Sequence, residues 1–223
     1  MKLSEFTEED LKELAKQLSQ PTGDIGVKVA NTMNETNISM TLNAIGHLDV
    51  QKGMQVLEIG HGNCRHLPEV LNQAEAIRYF GLEISDLMYA EAQEINIQFI
   101  KQGKAEYHLY DGQTIPFESD TFQRIFSVNT IYFWQNPVAF FKEIYRVLKL
   151  EGKVCICFVH KESMKTLPFT KWGFEFYDQD KIKNLIDQTQ FEIEAIPGFE
   201  EQVTSKVGEK VSRRFNTLIL RKR

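Results

Sequence analysis

The segment Val56-Leu57-Glu58-Ile59-Gly60-His61-Gly62-Asn63-Cys64 constrains this chain more than any other. In it an apolar run passes directly into a Gly-x-Gly turn and then into helical sequence. Glycine is needed where a Cβ would hold a ligand off the backbone, and the free N–H groups at the start of the following helix favour a carboxylate. A dinucleotide fingerprint would put its third glycine at position 65. That position is Arg65, so the pattern fails at the glycine that allows close helix packing. Glu58, two positions before the first glycine, stands where a strand end can hold an ammonium group, which a pyrophosphate would not welcome. An amino acid moiety fits this turn better than a diphosphate.

The order of elements agrees with such a site. After Gly53, short apolar runs alternate with helical stretches: MQVLEIG, RHLPEVLNQ, RYFGLEI, DLMYAEAQEINIQFI, AEYHLY, FQRIFSV, PVAFFKEIYRVL and KVCICFVH. Strands alternating with helices predict a parallel sheet with right-handed crossovers. The first fifty or so residues read as a helical cap: Leu3, Phe6, Leu11, Leu14 and Leu18 recur among charges, and Pro21-Thr22-Gly23-Asp24 separates them from a second helix over about Ile25–Leu48. Beyond the eighth run come an aromatic loop (FTKWGFEFYD), a helix near Asp180–Gln188, and strands near Phe191–Ile196 and Phe215–Leu220 that can pair antiparallel at the sheet edge. The expected fold is α/β, a doubly wound, mostly parallel, seven-stranded Rossmann-like sheet with an antiparallel edge strand and an N-terminal helical cap. We expect one domain over 1–223, with the cap at 1–50 and the sheet at 53–223.

Bulk properties narrow the partners. A formal net charge of -5 gives no broad attraction for phosphate backbones, although Arg213, Arg214 and the Arg221–Arg223 tail form local basic clusters, so nucleic acid is not an expected partner. No stretch approaches the roughly 18 apolar residues of a membrane span. The N-terminus MKLSEFTEED turns acidic where a signal peptide would be apolar, and a soluble, cytoplasmic protein is expected. Cys64, Cys155 and Cys157 do not make a disulfide framework. The last two alternate with Ile156 as strand residues do, and no metal is expected.

Two further acidic residues complete the pattern. Glu83 ends the run YFGLE about twenty residues after the glycines, where a strand-tip carboxylate can accept from a ribose diol. Asp111, followed by Gly112, ends another strand. There a carboxylate can accept from an exocyclic adenine amine while the glycine leaves room for the ring; taken alone, Asp-Gly is an ordinary turn.

With these residues the chain resembles the class I S-adenosylmethionine-dependent methyltransferases, in particular the small-molecule branch called type 11 or UbiE-like. The resemblance covers roughly Gly53 to Phe158 and rests on VLEIGHGN, the strand ending in Glu83, YDGQTIPFESDTF, and FSVNTIYFWQNPVAFFKEIYRVLKLEGKVCI in that order. It implies S-adenosylmethionine as cofactor. Glu58, Gly60 and Gly62 would hold its methionine part, Glu83 its ribose hydroxyls and Asp111 its adenine, with Asn129 beside the sulfonium; Asn63 and Ile84 join the same set of contacts. Three positions depart from the family pattern: Cys64 replaces the third glycine, Gln123 an aspartate, and Leu150-Glu151-Gly152 a Pro-Gly-Gly. Position 64 is expected to begin the helix beyond the closest ligand contact.

Methyl transfer is displacement at an activated carbon, so the protein mainly aligns donor and acceptor and excludes water. A base is optional; Tyr132 and His160 are the candidates, His160 because a neutral imidazole can take a hydroxyl proton. Tyr132, Trp134, His160, Phe169, Trp172, Phe174 and Phe176 are candidates for the acceptor wall. The loop Ser127–Tyr132 lacks the Asn/Asp-Pro-Pro-Tyr/Phe pattern of amide and adenine N-methyltransferases, which leaves a small, partly apolar acceptor of unassigned identity. Two other classes compete: a nonenzymatic S-adenosylmethionine sensor or silent subunit, and a dehydrogenase with a degenerate nucleotide site. The segment up to Leu48 is expected to close over the acceptor as a lid, with Met33, Asn34 and Asn37 facing the crevice.

Overall fold

The computed structural model describes residues 6–204 and 210–223. Its centre is a parallel array of β1 (Gln55–Ile59), β2 (Arg78–Glu83), β3 (Ala105–Leu109), β4 (Phe122–Val128) and β5 (Leu148–Val159), in the order β3-β2-β1-β4-β5. β1, β2 and β4 are almost wholly buried, as expected of strands covered on both faces, and helices lie on both sides of the sheet. The last strand, β8 (Lys210–Arg221), lies antiparallel to β5, pairing Val154 with Leu220 and Val159 with Phe215.

The expected antiparallel pair at the edge is present: β6 (Glu192–Ala195) runs against β8 with Glu192 opposite Arg221. An eighth strand joins the seven expected. β7 (Gly198–Thr204) pairs with the first half of β8 and sets Glu200 opposite Arg214 and Glu201 opposite Arg213. Opposite charges facing across an antiparallel pair favour this register. Its acid-rich sequence carries no run of β-branched residues that would mark a strand on its own.

Helices form where caps and apolar spacing agree. α1 (Glu8–Ser19) opens on a reciprocal capping box, in which Thr7 accepts from the Asp10 N–H and the Asp10 carboxylate accepts from the Thr7 N–H. Leu3, expected to extend this helix, lies outside the described residues. α6 (Pro137–Val147) starts with Asn136 accepting from the Ala139 N–H, and it buries Phe140, Ile144 and Val147, which share one helical face. Ser85 caps α4 (Asp86–Ile95) in the same way.

The N-terminal helices divide between two tasks. α2 (Gly23–His47) turns its C-terminal half into the core, where Met40, Ala44, Ile45 and the following Leu48 are 0–1% exposed. Its N-terminal half, with α1 and the Pro21-Thr22 turn, stands over the C-terminal ends of the strands. The Ser85 hydroxyl donates to Pro21 O and the Gln20 amide to Ile84 O, which fastens that turn to the loop after β2. A chain starting at Asp49 therefore loses part of the core. Burial of Met40, Ile45 and Leu48 contributes about 1.5–3 kcal/mol each, comparable in sum with the about 5–15 kcal/mol of a whole domain. That chain is expected to aggregate, whereas one starting at Gly23 should keep its far-ultraviolet circular dichroism.

Candidate active site

The strand order reverses between β1 and β4, because β1 leads outward to β2 and β3 while β4 leads to β5 on the other side. In open α/β sheets the crevice at such a point, beyond the carboxyl ends of the strands, is where ligands bind. Here a cleft of about 1040 Å³, its open mouth included, lies at that point. Its floor is the turn after β1. Gly60 has φ +74° and donates its N–H to Leu82 O, and Gly62 has φ +57°. A Cβ on Gly62 would meet nothing within 4 Å, so the bare backbone faces open cleft.

Glu83 stitches this floor to the next loop. One carboxylate oxygen accepts from the Gly62 N–H at 2.9 Å, and the other accepts from the N–H groups of Ile84 at 2.8 Å and Ser85 at 3.1 Å. Burial pushes its pKa up, partly offset by those three donors. Cys64 is not the first residue of a helix. It holds φ +51°, the conformation the absent glycine would adopt without strain, and α3 starts only at Leu67 (Leu67–Leu71). Its buried thiol donates to the Tyr79 hydroxyl.

Glu58 lies beneath the turn, 2% exposed, and already has partners. Its carboxylate meets His66 Nε2 at 2.8 and 3.0 Å and accepts from the Tyr79 hydroxyl at 2.5 Å. Burial lowers the His66 pKa, but the charge and hydrogen bond of Glu58 outweigh it and the net shift is upward. A histidine held above its ordinary value contributes stability that is complete below about pH 6.5 and fades as pH rises through its folded pKa. His66→Leu strands a buried carboxylate, at a cost of about 3–5 kcal/mol. Urea midpoints at intervals from pH 6 to 9 should show that loss at the acid end and a flatter profile above it. An unchanged profile would remove the imidazolium. His61, between the glycines, is the opposite case: buried, with Nε2 unpartnered, its pKa falls to about 4 and it stays neutral.

The cleft wall unites most of the residues singled out in the sequence. Glu58, Gly60, Gly62, Asn63, Glu83, Ile84, Gly112 and Asn129 all line it, together with Met33, Asn34 and Asn37 of α2. Asp111 does not. It is exposed, and its carboxylate accepts from the N–H groups of Gln113 and Thr114, which holds its pKa down and closes the Asp-Gly turn on itself. Tyr110 and Gly112 form the wall there instead. His66, Tyr110 and Thr130 are cleft residues that sequence reasoning missed. Their only sequence signal is position, one turn past the glycines or at a strand end.

A second chamber of about 720 Å³ on the same measure adjoins the first, and Leu18, Met33, Asn37, Asn129 and Phe133 line both. Asn129 sits at the junction with φ +60°, its N–H donating to Cys157 O. Its side-chain oxygen accepts from the Tyr132 hydroxyl at 2.7 Å, while that hydroxyl accepts from the Val159 N–H at 2.5 Å. Burial pushes the Tyr132 pKa well up, so this phenol is a fixed donor that orients Asn129. Of the aromatic candidates, Tyr132, Phe169 and Phe174 line the second chamber and Trp134 the first, while Trp172 and Phe176 line neither. His160 also lines neither; its Nδ1 accepts from the Glu162 N–H and caps α7 (Lys161–Lys165).

Several known proteins are similar to this chain. A family model described as a methyltransferase domain matches residues 57–156. The Bacillus subtilis protein YdaC, an uncharacterized methyltransferase, is 26% identical over 133 residues, which are 58% of this chain and 68% of YdaC. Phosphoethanolamine N-methyltransferase 2 of Caenorhabditis elegans is 25% identical over 182 residues, covering 78% of this chain but 38% of that protein. The chain thus spans about two thirds of one relative and little more than a third of the other. A SAM-dependent methyltransferase from Aquifex aeolicus superposes with a TM-score of 0.63 at 18% identity, covering 93% of this chain and 97% of that one, which shows a shared fold.

Proposed function

We propose that the chain is a class I S-adenosylmethionine-dependent methyltransferase, as the methyltransferase-domain match over residues 57–156 supports, and that it transfers the cofactor's methyl group to a small, partly apolar acceptor held in the second chamber. The observation that carries this reading is the junction at Asn129, where a cleft with a bare glycine floor and the carboxylates of Glu58 and Glu83 opens into a chamber lined by Tyr132, Phe133, Phe169 and Phe174.

The residues present fit the cofactor. The backbone of Gly60 and Gly62 offers a surface without side chains, and a Cβ at Gly112 would stand 3.5 Å from Ile84. Glu58 and His66 would take the methionine end. Glu83, already spread over three N–H groups, would use its remaining lone pairs for the ribose hydroxyls. When bound, the cofactor supplies a methyl group activated by sulfonium. Tyr132 and Asn129 set the polar edge of the junction, and the aromatic chamber excludes water so that alignment does most of the catalysis. α1 and the Pro21-Thr22 turn act as the lid over this junction, with Leu18 facing both spaces. Acceptor entry then requires that turn to release Ile84 and Ser85.

A ligand bound only by the folded state stabilises it by RT ln(1 + [L]/Kd), about 2.7 kcal/mol at a hundredfold excess over Kd. S-adenosylhomocysteine should therefore raise the melting temperature, and NAD should not. No change with saturating S-adenosylhomocysteine on a folded sample would overturn the cofactor assignment. Binding without any product across a broad acceptor panel would favour a sensor instead.

A further inference from the structure

We propose that the acceptor is an uncharged, apolar amine that the second chamber takes up without its proton and methylates with no protein base. The proposal rests on the methyl-transfer reading above and adds the chemical class of the acceptor.

Among the described residues, the second chamber is lined by no Asp, Glu, His or Lys. Its one charged side chain, Arg213, is already committed. The guanidinium donates from Nε and one terminal nitrogen to Glu201 at 3.0 and 2.6 Å, to Thr36 O at 2.7 Å and to the Asn37 amide oxygen at 3.2 Å. The Ser39 hydroxyl takes the other Glu201 oxygen at 2.5 Å. Among the described residues, a closed ion pair of this kind leaves no net charge to draw in a carboxylate or phosphate, or to hold a thiolate or phenolate. Such anions would be desolvated with no free protein cation among the described lining residues to offset the cost. The two base candidates are also out of play, because Tyr132 is a buried donor with a raised pKa and His160 lies outside the chamber.

An amine is the acceptor class for which an apolar chamber is an advantage. Desolvation disfavours the ammonium form, so transfer into the chamber removes the proton that blocks the lone pair. The nitrogen lone pair then forms the N–CH3 bond as the S–CH3 bond breaks. The electron pair of that bond stays on sulfur as a neutral thioether, and the positive charge moves from sulfur to nitrogen. No net charge is created, so the step needs no counterion. The new ammonium, disfavoured in the chamber, leaves for water with its proton, so the one proton released overall is the one the substrate lost on entry. Tyr132, Phe133, Phe169 and Phe174 form a contiguous cluster of rings, with centroid separations of 4.7–6.0 Å, that gives an apolar body a surface to pack against. The Asn129 amide oxygen at the junction can accept an amine N–H.

Two measurements test this with ring-substituted benzylamines of graded basicity, beside benzyl mercaptan and p-cresol of similar apolar body. Calorimetry on the enzyme loaded with S-adenosylhomocysteine, repeated in buffers of different ionisation heat, should show roughly one proton released per amine bound below the amine's pKa. Turnover with S-adenosylmethionine should then rise with pH to a midpoint that moves with each amine's own pKa. Amine binding without proton release, a midpoint that stays the same across the series, preference for the thiol or phenol, or no amine binding at all would each overturn the proposal. Failure of S-adenosylhomocysteine to bind in the loading step would instead overturn the methyl-transfer reading, so the two failures are distinguishable.

Discussion

Gly60→Val is expected to lose S-adenosylhomocysteine affinity by at least about a hundredfold while also lowering the melting temperature. Two effects combine at this position. Gly60 holds φ +74°, which costs a side-chain-bearing residue about 1–2 kcal/mol, and its Cβ would lie 2.4 Å from Thr130 Cγ2. Thr130 cannot simply rotate away, because its hydroxyl pairs with Ser127 at 2.5 Å and accepts from the Trp134 indole at 3.2 Å. Overpacking of that kind adds about 1–3 kcal/mol. The substitution is therefore expected to weaken the protein as well as its binding. Gly62→Ala separates the two roles. Its Cβ would meet no protein atom within 4 Å, so it should lose affinity with a much smaller drop in melting temperature. If Gly60→Val binds and melts like the parent, the turn is neither a ligand floor nor a strained support.

Glu83→Ala should be the second most damaging substitution. The carboxylate serves Gly62, Ile84 and Ser85 at once, and each buried N–H left without an acceptor costs about 1–3 kcal/mol. Loss of about 3 kcal/mol or more in chemical denaturation is expected, along with loss of cofactor affinity. Glu83→Gln keeps the shape and one acceptor oxygen and isolates the charge. Burial holds the Glu83 pKa above 4.5, so its favourable contribution is complete below that pH and is lost as pH rises through the folded value. Without the cofactor, Glu83→Gln should therefore show a shallower fall in stability than the parent on going from pH 4.5 to 7. A parent and mutant that fall in parallel would mean that Glu83 is not desolvated.

The legible part of the fold is the part set by local pattern. Alternating apolar runs and helical stretches are enough to place β1 to β5 and α3, α4 and α6, because a strand buried on both faces and a helix buried on one each impose a period that survives in sequence. The glycine turn was legible for a related reason: positive φ at Gly60 and Gly62 demands a residue type that stands out. β7 was not legible. It exists because Glu200 and Glu201 face Arg214 and Arg213 across the sheet, partners more than ten residues away that no window of local sequence brings together.

The same division runs through the candidate site. The sequence by itself determined which residues reach the carboxyl ends of the strands, since Glu58, Gly60, Gly62, Glu83, Gly112 and Asn129 all follow from where strands stop. What those side chains face was decided only by the tertiary structure. Glu58 is matched by His66 and Tyr79, Asp111 folds back onto its own turn, His160 becomes a helix cap, and Tyr132 becomes the support of Asn129. The division of α2 into a half that lines the cleft and a half that fills the core is likewise invisible in its sequence, because an apolar face of either kind has the same spacing. Strand ends are local events, whereas hydrogen-bond partners and burial depend on which distant elements the folded chain brings into contact.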